Sequence, residues 1–237
     1  MLTISFTSIP PRFGTLPNVV DSLLNQTIPV RVVVSLPQTY LRYPGYVAIP
    51  DLPQSVEVRR TPKDFGPATK LLGCLNDPQA TDILYCDDDW HYAPKWAEAL
   101  LAVRATSTSA VAASTFPVSR LKRSAAPMLD QVAQGFAGVL VHKDMFGSDV
   151  FDLPRSAYAA DDIWLSGYLA SRNVPIFKAD KARALCSPAA TDGAQLQDLR
   201  VNGLSRRDAN EACADAITRR FGIWPKKTPQ AEPGGLR

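Results

Sequence analysis

Three consecutive aspartates, Asp87-Asp88-Asp89, directly follow the apolar run Ile83-Leu84-Tyr85-Cys86. Adjacent carboxylates repel one another, so such a run suits a cation site or a solvated turn. In an extended chain Asp87 and Asp89 point to one side and Asp88 to the other. Two carboxylates on one side make a hard, oxygen-rich site fit for Mg²⁺ or Mn²⁺. Such an ion can hold a diphosphate and neutralise charge on a leaving group. Helix capping explains the cluster less well, because the next helical pattern starts only at Pro94. A second acidic pair, Asp161-Asp162, opens the stretch Ile163-Trp164-Leu165-Ser166-Gly167-Tyr168-Leu169. Aspartate there suits a helix N-cap and the helix dipole. It also stays ionised readily, which makes it an available proton acceptor but a weaker base. The two roles are compatible on adjacent residues. His91 stands two residues past Asp89 and is a metal neighbour or, as lone histidines more often are, structural.

The elements that must position these residues are legible from periodicity. Residues 2–7, 30–36, 55–59 and 81–86 read as strands. Between them, Val19, Val20, Leu23 and Leu24 recur at helical spacing in a helix ending near Gln26, and Ala68, Leu71, Leu72 and Leu75 do so in residues 67–76. Pro94 fits the first turn of a helix carrying Trp96, Leu100 and Val103. This alternation implies a parallel sheet with right-handed crossovers, whose ligands sit outside the carboxyl ends of the strands. The three aspartates stand at such an end. Residues 37–54 are proline-rich and read as a surface loop. Further on, 110–116, 138–142 and 174–178 read as strands, 160–172 as a helix and 205–221 as a charged helix. From Ile223 onward, Pro225, Pro229, Pro233 and Gly234-Gly235 predict a loose tail.

Composition narrows the function classes. The chain has 237 residues, 46% hydrophobic and 21% charged, which is ordinary globular usage. Its 26 Lys+Arg against 23 Asp+Glu leave a formal +3, too weak for the dense basic face of a duplex-binding protein. Cys74, Cys86, Cys186 and Cys213 are scattered without zinc-ligand spacing. Met1-Leu2-Thr3 carries no signal-peptide features, and no apolar run approaches a membrane span, so a cytoplasmic protein with reduced thiols is expected. Neither GxGxxG after the first strand, nor GxxxxGK[ST], nor GxSxG is present, which removes the dinucleotide cradle, the P-loop and the nucleophile elbow.

Four segments taken together carry a resemblance. Ser5-Phe6-Thr7-Ser8-Ile9-Pro10-Pro11-Arg12, Asp64-Phe65-Gly66-Pro67-Ala68-Thr69-Lys70, Asp87-Asp88-Asp89 and Asp161-Asp162 resemble, in this order, a bacterial and viral group of glycosyltransferases of the glycosyltransferase A fold. That group is related to the large family-two inverting enzymes. The resemblance implies an α/β fold with a Rossmann-like, mostly parallel sheet flanked by helices. It implies one catalytic domain over 1–222, with a nucleotide-binding half (1–105), an acceptor and catalytic-base half (106–222), and a flexible tail (223–237). Thr7 and Arg12 would line the nucleotide site, Asp64 would lie near base or ribose, and Lys70 near the diphosphate. Asp87 and Asp89 would match the DxD motif that contacts ribose, metal and diphosphate, with Asp88 between them in the donor site. Asp162 would match the catalytic base of a Glu-Asp pair. Its neighbour here is Asp161 rather than Glu, which leaves open which of the two acts. Gly135-Phe136-Ala137-Gly138 would match the glycine-containing segment beside donor sugar and acceptor. Many relatives supply a late histidine to the metal; this chain has none after His142.

The function so implied is a Mn²⁺- or Mg²⁺-dependent transfer of a sugar from a nucleoside-diphosphate sugar to a sugar or glycoconjugate hydroxyl, with inversion. The rivals are a sugar-phosphate nucleotidyltransferase and a non-catalytic carbohydrate- or partner-binding domain. Against the former, Pro10-Pro11-Arg12 stands where a glycine-rich, arginine-containing loop is needed. Arg120, Lys122 and Arg123 read as an acceptor-side loop or, more commonly for such residues, a solvated face. Peripheral contact of Arg206, Arg207, Arg219 and Arg220 with an anionic membrane is diluted by Asp208, Glu211 and Asp215.

Overall fold

The computed structural model describes residues 1–45, 47–104, 106–189 and 205–227. Leu2–Phe6 (β1) is buried throughout and Val30–Pro37 (β2) nearly so, as unbroken apolar strands covered on both faces must be. Between them Leu16–Leu24 (α1) buries Leu16, Val19, Val20 and Leu23, one apolar stripe at helical spacing. The expected Pro10-Pro11 turn is a 3₁₀ helix, Pro10–Thr15. Val56–Thr61 (β3), Thr69–Leu75 (α2), Asp82–Tyr85 (β4), Trp90–Tyr92 (β5) and Trp96–Leu101 (α3) follow. Val103, expected on the apolar face of α3, lies past its end and is exposed.

The second half contains Ala110–Ala112 (β6), Thr115–Pro117 (β7), Gln131–Ala133 (β8), Val139–His142 (β9), Asp161–Ser171 (α4), Ile176–Lys178 (β10), Asp180–Arg183 (α5), Cys186–Pro188 (β11) and Arg206–Phe221 (α6). The central sheet runs β10-β6-β9-β4-β1-β2-β3. All its pairings are parallel except those of β9, which is antiparallel to both β4 and β6. The single strand expected over 110–116 is two. Its first part joins the central sheet and its last part pairs with β8 in a separate two-stranded ribbon.

Each face of the sheet carries a core. Successive side chains of β4 and the residue after it alternate between them: Ile83 and Tyr85 pack with α2, α4 and α6, while Leu84 and Cys86 pack with α1 and α3. All four cysteines are buried and unpaired. The loose tail expected from Ile223 is docked at least through Lys227. Trp224 is buried, its indole N–H donates to the Leu129 carbonyl at 2.9 Å, and Lys226 bridges to Arg123. The rest of that tail lies outside the described residues.

Candidate active site

The carboxyl ends of β1 and β4 and the start of α4 open on one cleft of about 440 Å³. The chain does not stay extended through Asp87-Asp88-Asp89 but turns at Asp88 and Asp89 before β5 begins. The aspartates therefore separate differently from the extended-strand expectation. Asp87 faces Lys70, whereas Asp88 and Asp89 both face Arg12. Tyr92 on β5 fixes this turn. Its hydroxyl lies 3.0 Å from the Asp87 carbonyl and 2.9 Å from that of Phe136, and accepts the Asp87 N–H at 3.2 Å. One buried phenol thus joins the acidic turn to the 135–138 segment.

Lys70 is the link between the two acidic clusters. It is only 2% exposed, against the solvated lysine that a helix position suggests. Its ammonium lies 2.6 Å from Asp87 and 2.9 Å from Asp161. Burial works to lower its pKa, but Asp161, Asp87 and Asp162 outweigh that and raise it well above the usual lysine range. The ammonium is a fixed positive charge at any physiological pH.

Asp161 and Asp162 occupy the first turn of α4, and neither caps it: the N-cap is Ala160, without a side-chain bond. Asp161 turns to Lys70. Asp162 Oδ1 instead accepts the Gly135 backbone N–H at 2.9 Å. Burial raises the Asp162 pKa to about 7, with Asp161 adding to the shift and Lys70 opposing it. The weaker base expected of a carboxylate at a helix start is thereby reversed; desolvation outweighs the dipole. Gly135 has a specific reason to lack a side chain. A Cβ there would fall 2.4 Å from Lys70 Nζ and 3.2 Å from Asp162 Oδ1.

Arg12, led out of β1 by the 3₁₀ turn, lies 2.6 Å from Asp88 and 3.1 Å from Asp89. Ser8 also donates to Asp88. Burial, reinforced by Asp87 and opposed by Arg12, raises the Asp89 pKa to about 6. Asp89 Oδ1 is buried and has no hydrogen-bond partner among the described residues. Those residues contain no group of three or more His, Cys, Asp or Glu arranged to enclose a metal. This donor set does not fit a closed zinc site. It fits Mg²⁺ or Mn²⁺, which are commonly held by one or two carboxylates while phosphates and water complete the shell.

Other expected residues divide by position. Thr7 lines the cleft, but its hydroxyl donates to the Ser35 carbonyl at 2.7 Å. Asp64 lines it too, with its carboxylate accepting from Leu41 N–H, Gly66 N–H and the Tyr158 hydroxyl at 2.8–2.9 Å. It organises the walls. Gly138 does not line the cleft. It has φ +98°, and a Cβ would meet the Trp96 ring at 2.2 Å, so packing and backbone geometry explain this glycine. His91 is likewise outside the lining. Sequence reasoning passed over Tyr40 and Tyr158, and named Phe136 only as part of the 135–138 segment. Phe136 packs against Trp90 with ring centroids 4.5 Å apart and planes tilted by 37°, and the Arg183 guanidinium lies over both rings. An aromatic wall therefore stands beside the acidic turn; its two rings come from Trp90, next in sequence to Asp89, and from Phe136, next to Gly135.

No protein-family model matches the sequence, and no curated protein matches it. Solved structures do. Glucosyl-3-phosphoglycerate synthase from Mycobacterium tuberculosis, solved with Mn²⁺, UDP-glucose and phosphoglyceric acid, is 13% identical with a TM-score of 0.55, over 95% of this chain and 81% of that one. S. aureus TarS 1–349 in complex with UDP-GlcNAc is 13% identical with a TM-score of 0.54, over 93% and 72%. Mannosyltransferase PcManGT from Pyrobaculum calidifontis, solved with GDP-Man and Mn²⁺, is 15% identical with a TM-score of 0.52. The chain has the glycosyltransferase A fold. It covers 58% of the mannosyltransferase chain, over 81% of its own length. Within this glycosyltransferase A fold, the cleft stands where strand order reverses direction from β1, with β2 on one side and β4 on the other. No helix among the described residues is long and apolar enough to cross a membrane.

Proposed function

We propose that this protein is a nucleotide-sugar glycosyltransferase that uses Mn²⁺ or Mg²⁺ and inverts the anomeric centre, in polysaccharide or glycoconjugate synthesis. The observation that carries this reading is the buried Lys70 ammonium between Asp87 and Asp161, which makes the two acidic clusters one site. Charge supports it further. Six carboxylates line the cleft against four cations, Arg12, Arg42, Lys70 and Arg206. A site with this formal excess of negative charge repels a diphosphate unless a divalent cation accompanies it. Asp89 and Asp87 would hold Mn²⁺ or Mg²⁺, whose charge neutralises the departing diphosphate. The solved neighbours with bound Mn²⁺ and nucleotide sugar agree with this reading.

Asp162 takes the base role. Its raised pKa and its place on the cleft wall suit proton removal near neutral pH, while Asp161 is engaged by Lys70. The acceptor oxygen attacks the anomeric carbon as its proton passes to Asp162. The bond from that carbon to the diphosphate oxygen breaks on the opposite face, and the nucleoside diphosphate leaves. Lys70 stabilises the charge that develops on it. A nucleotidyltransferase finds less support, since Arg12 is committed to Asp88 and Asp89. Donor hydrolysis and sugar transfer measured on Asp89→Ala and Asp162→Asn test the proposal. Wild-type rates in both variants would sink it.

A further inference from the structure

A second cavity of about 540 Å³ lies beside the cleft and shares Gln134, Asp161, Asp162 and Arg206 with it. Beyond the shared carboxylates its walls are cationic. Arg120 and Lys122 stand on one side, Arg206 and Arg207 on the other, and the one remaining acid is Glu211. All four cations are exposed, and none ion-pairs with another described residue.

The two walls are held firmly. Lys122 closes the 3₁₀ turn Val118–Leu121 with φ 57°, and its carbonyl accepts the Lys227 N–H at 2.9 Å. Next to it Arg123, expected at the surface, is 1% exposed and reaches Asp215 at 2.7 Å and Thr218 at 3.1 Å, both on α6. On the other wall a capping box between Ser205 and Asp208 fixes the first turn of α6, which carries Arg206 and Arg207. Like charges gathered on rigid supports around one cavity repel one another. Guanidinium groups in such an array match the oxygens of phosphate better than a lone carboxylate would need.

We propose that this second cavity is the acceptor site and takes an acceptor carrying a phosphate group. The phosphate lies between the 118–122 turn and the start of α6, and the hydroxyl to be glycosylated points to Asp162. The word acceptor rests on the glycosyltransferase reading; phosphate binding does not. The phosphate belongs to a soluble ester or to a lipid at a bilayer surface, and the test separates these sources.

The full chain is titrated calorimetrically with inorganic phosphate at constant ionic strength, with and without nucleoside diphosphate and Mg²⁺. Arg120→Gln/Arg207→Gln is compared with wild type, after confirming equal melting temperatures. In parallel, co-sedimentation is measured with phosphatidylcholine vesicles with and without phosphatidic acid. The expected result is at least tenfold weaker phosphate binding in the double variant, with wild-type binding undisturbed by the nucleotide. Phosphatidic-acid-dependent sedimentation lost in the variant supports a lipid source; phosphate binding without sedimentation supports a soluble ester. Equal phosphate affinity in both proteins, or displacement of phosphate by the nucleotide, would overturn the proposal. Absence of nucleotide binding alongside intact phosphate binding would instead overturn the glycosyltransferase reading.

Discussion

Two glycines three residues apart have opposite meanings in this protein. Gly135 leaves room for the Lys70 ammonium and the Asp162 carboxylate, whereas Gly138 leaves room for the Trp96 ring at positive φ. Gly135→Ala is therefore expected to keep the fold and displace Lys70, with transfer falling about a hundredfold, as ångström-scale misplacement commonly costs. Gly138→Ala is expected to lower the melting temperature instead. Activity and thermal melts on both variants check the contrast; a fully active or an unfolded first variant, or an equally stable second, would contradict it. Asp162 carries a further expectation. Its folded pKa lies above the unfolded value, so the ionised form is disfavoured in the fold and stability falls as pH rises from about 4 towards 7. The groups around it are Asp161, Lys70 and Asp87. Asp162→Asn should melt no lower than wild type at pH 8 while transfer drops about 10²–10⁴-fold. The transfer rate of the wild type should rise with pH through about 7, and the variant should lose that limb. Both acidic clusters were legible in the sequence because their type and their place after a strand or before a helix are local properties. Lys70 was harder: helical spacing says that a lysine is on a helix, not that two carboxylates from distant segments close over it.

At the scale of elements, long-range pairing decided what the sequence hid. β5 is three residues long and pairs with β11 nearly a hundred positions later. A three-residue strand has no periodicity to detect, yet it supplies Tyr92, which pins the acidic turn. The apolar run 110–116 hid a second feature, since its two ends belong to different sheets and nothing in its composition marks the break. By contrast α1, β2 and α2 were readable because each buries a face large enough to impose its period. Arg123 shows the limit from another side. Residue type favours the surface, and the Asp215 that draws it inward lies 92 positions away. Arg123→Ala should destabilise by roughly 2 kcal/mol, since the buried guanidinium loses its packing and its bonds to Asp215 and Thr218, while the half-buried Asp215 keeps Lys226 at 3.2 Å. Denaturant unfolding measures this. A change below about 0.5 kcal/mol would show that the clamp between the 118–124 loop and α6 contributes little.

For the molecule as a whole, the sheet is fastened at one edge by charge. Asp77, buried just after α2, accepts from Arg31 on β2 and lies 3.0 Å from Arg59 on β3, with Glu57 beside them. Burial acts to raise the Asp77 pKa, but the Arg31 hydrogen bond and the Gln79 N–H prevail and hold it below the usual carboxylate range. A depressed carboxylate stabilises fully above its unfolded value of about 3.9, and that contribution is lost as pH falls through the lower folded value. Melting temperatures should therefore fall more steeply below about pH 4 in wild type than in Asp77→Asn, which starts lower at neutral pH. Parallel slopes would remove Asp77 from the account.

The four buried thiols have a use that follows from their placement. Cys74 sits under β1 and β2, Cys86 directly follows β4, Cys186 lies in β11, and Cys213 lies in α6. Burial pushes the Cys186 and Cys213 thiols up to about 12, so they react slowly even where reagent reaches them. Each becomes a clock for the opening of its own neighbourhood. A ligand that closes the cleft should slow labelling at Cys86 and Cys186 first and leave Cys213 on its original timescale. An occupant of the cavity beside α6 should reverse that order.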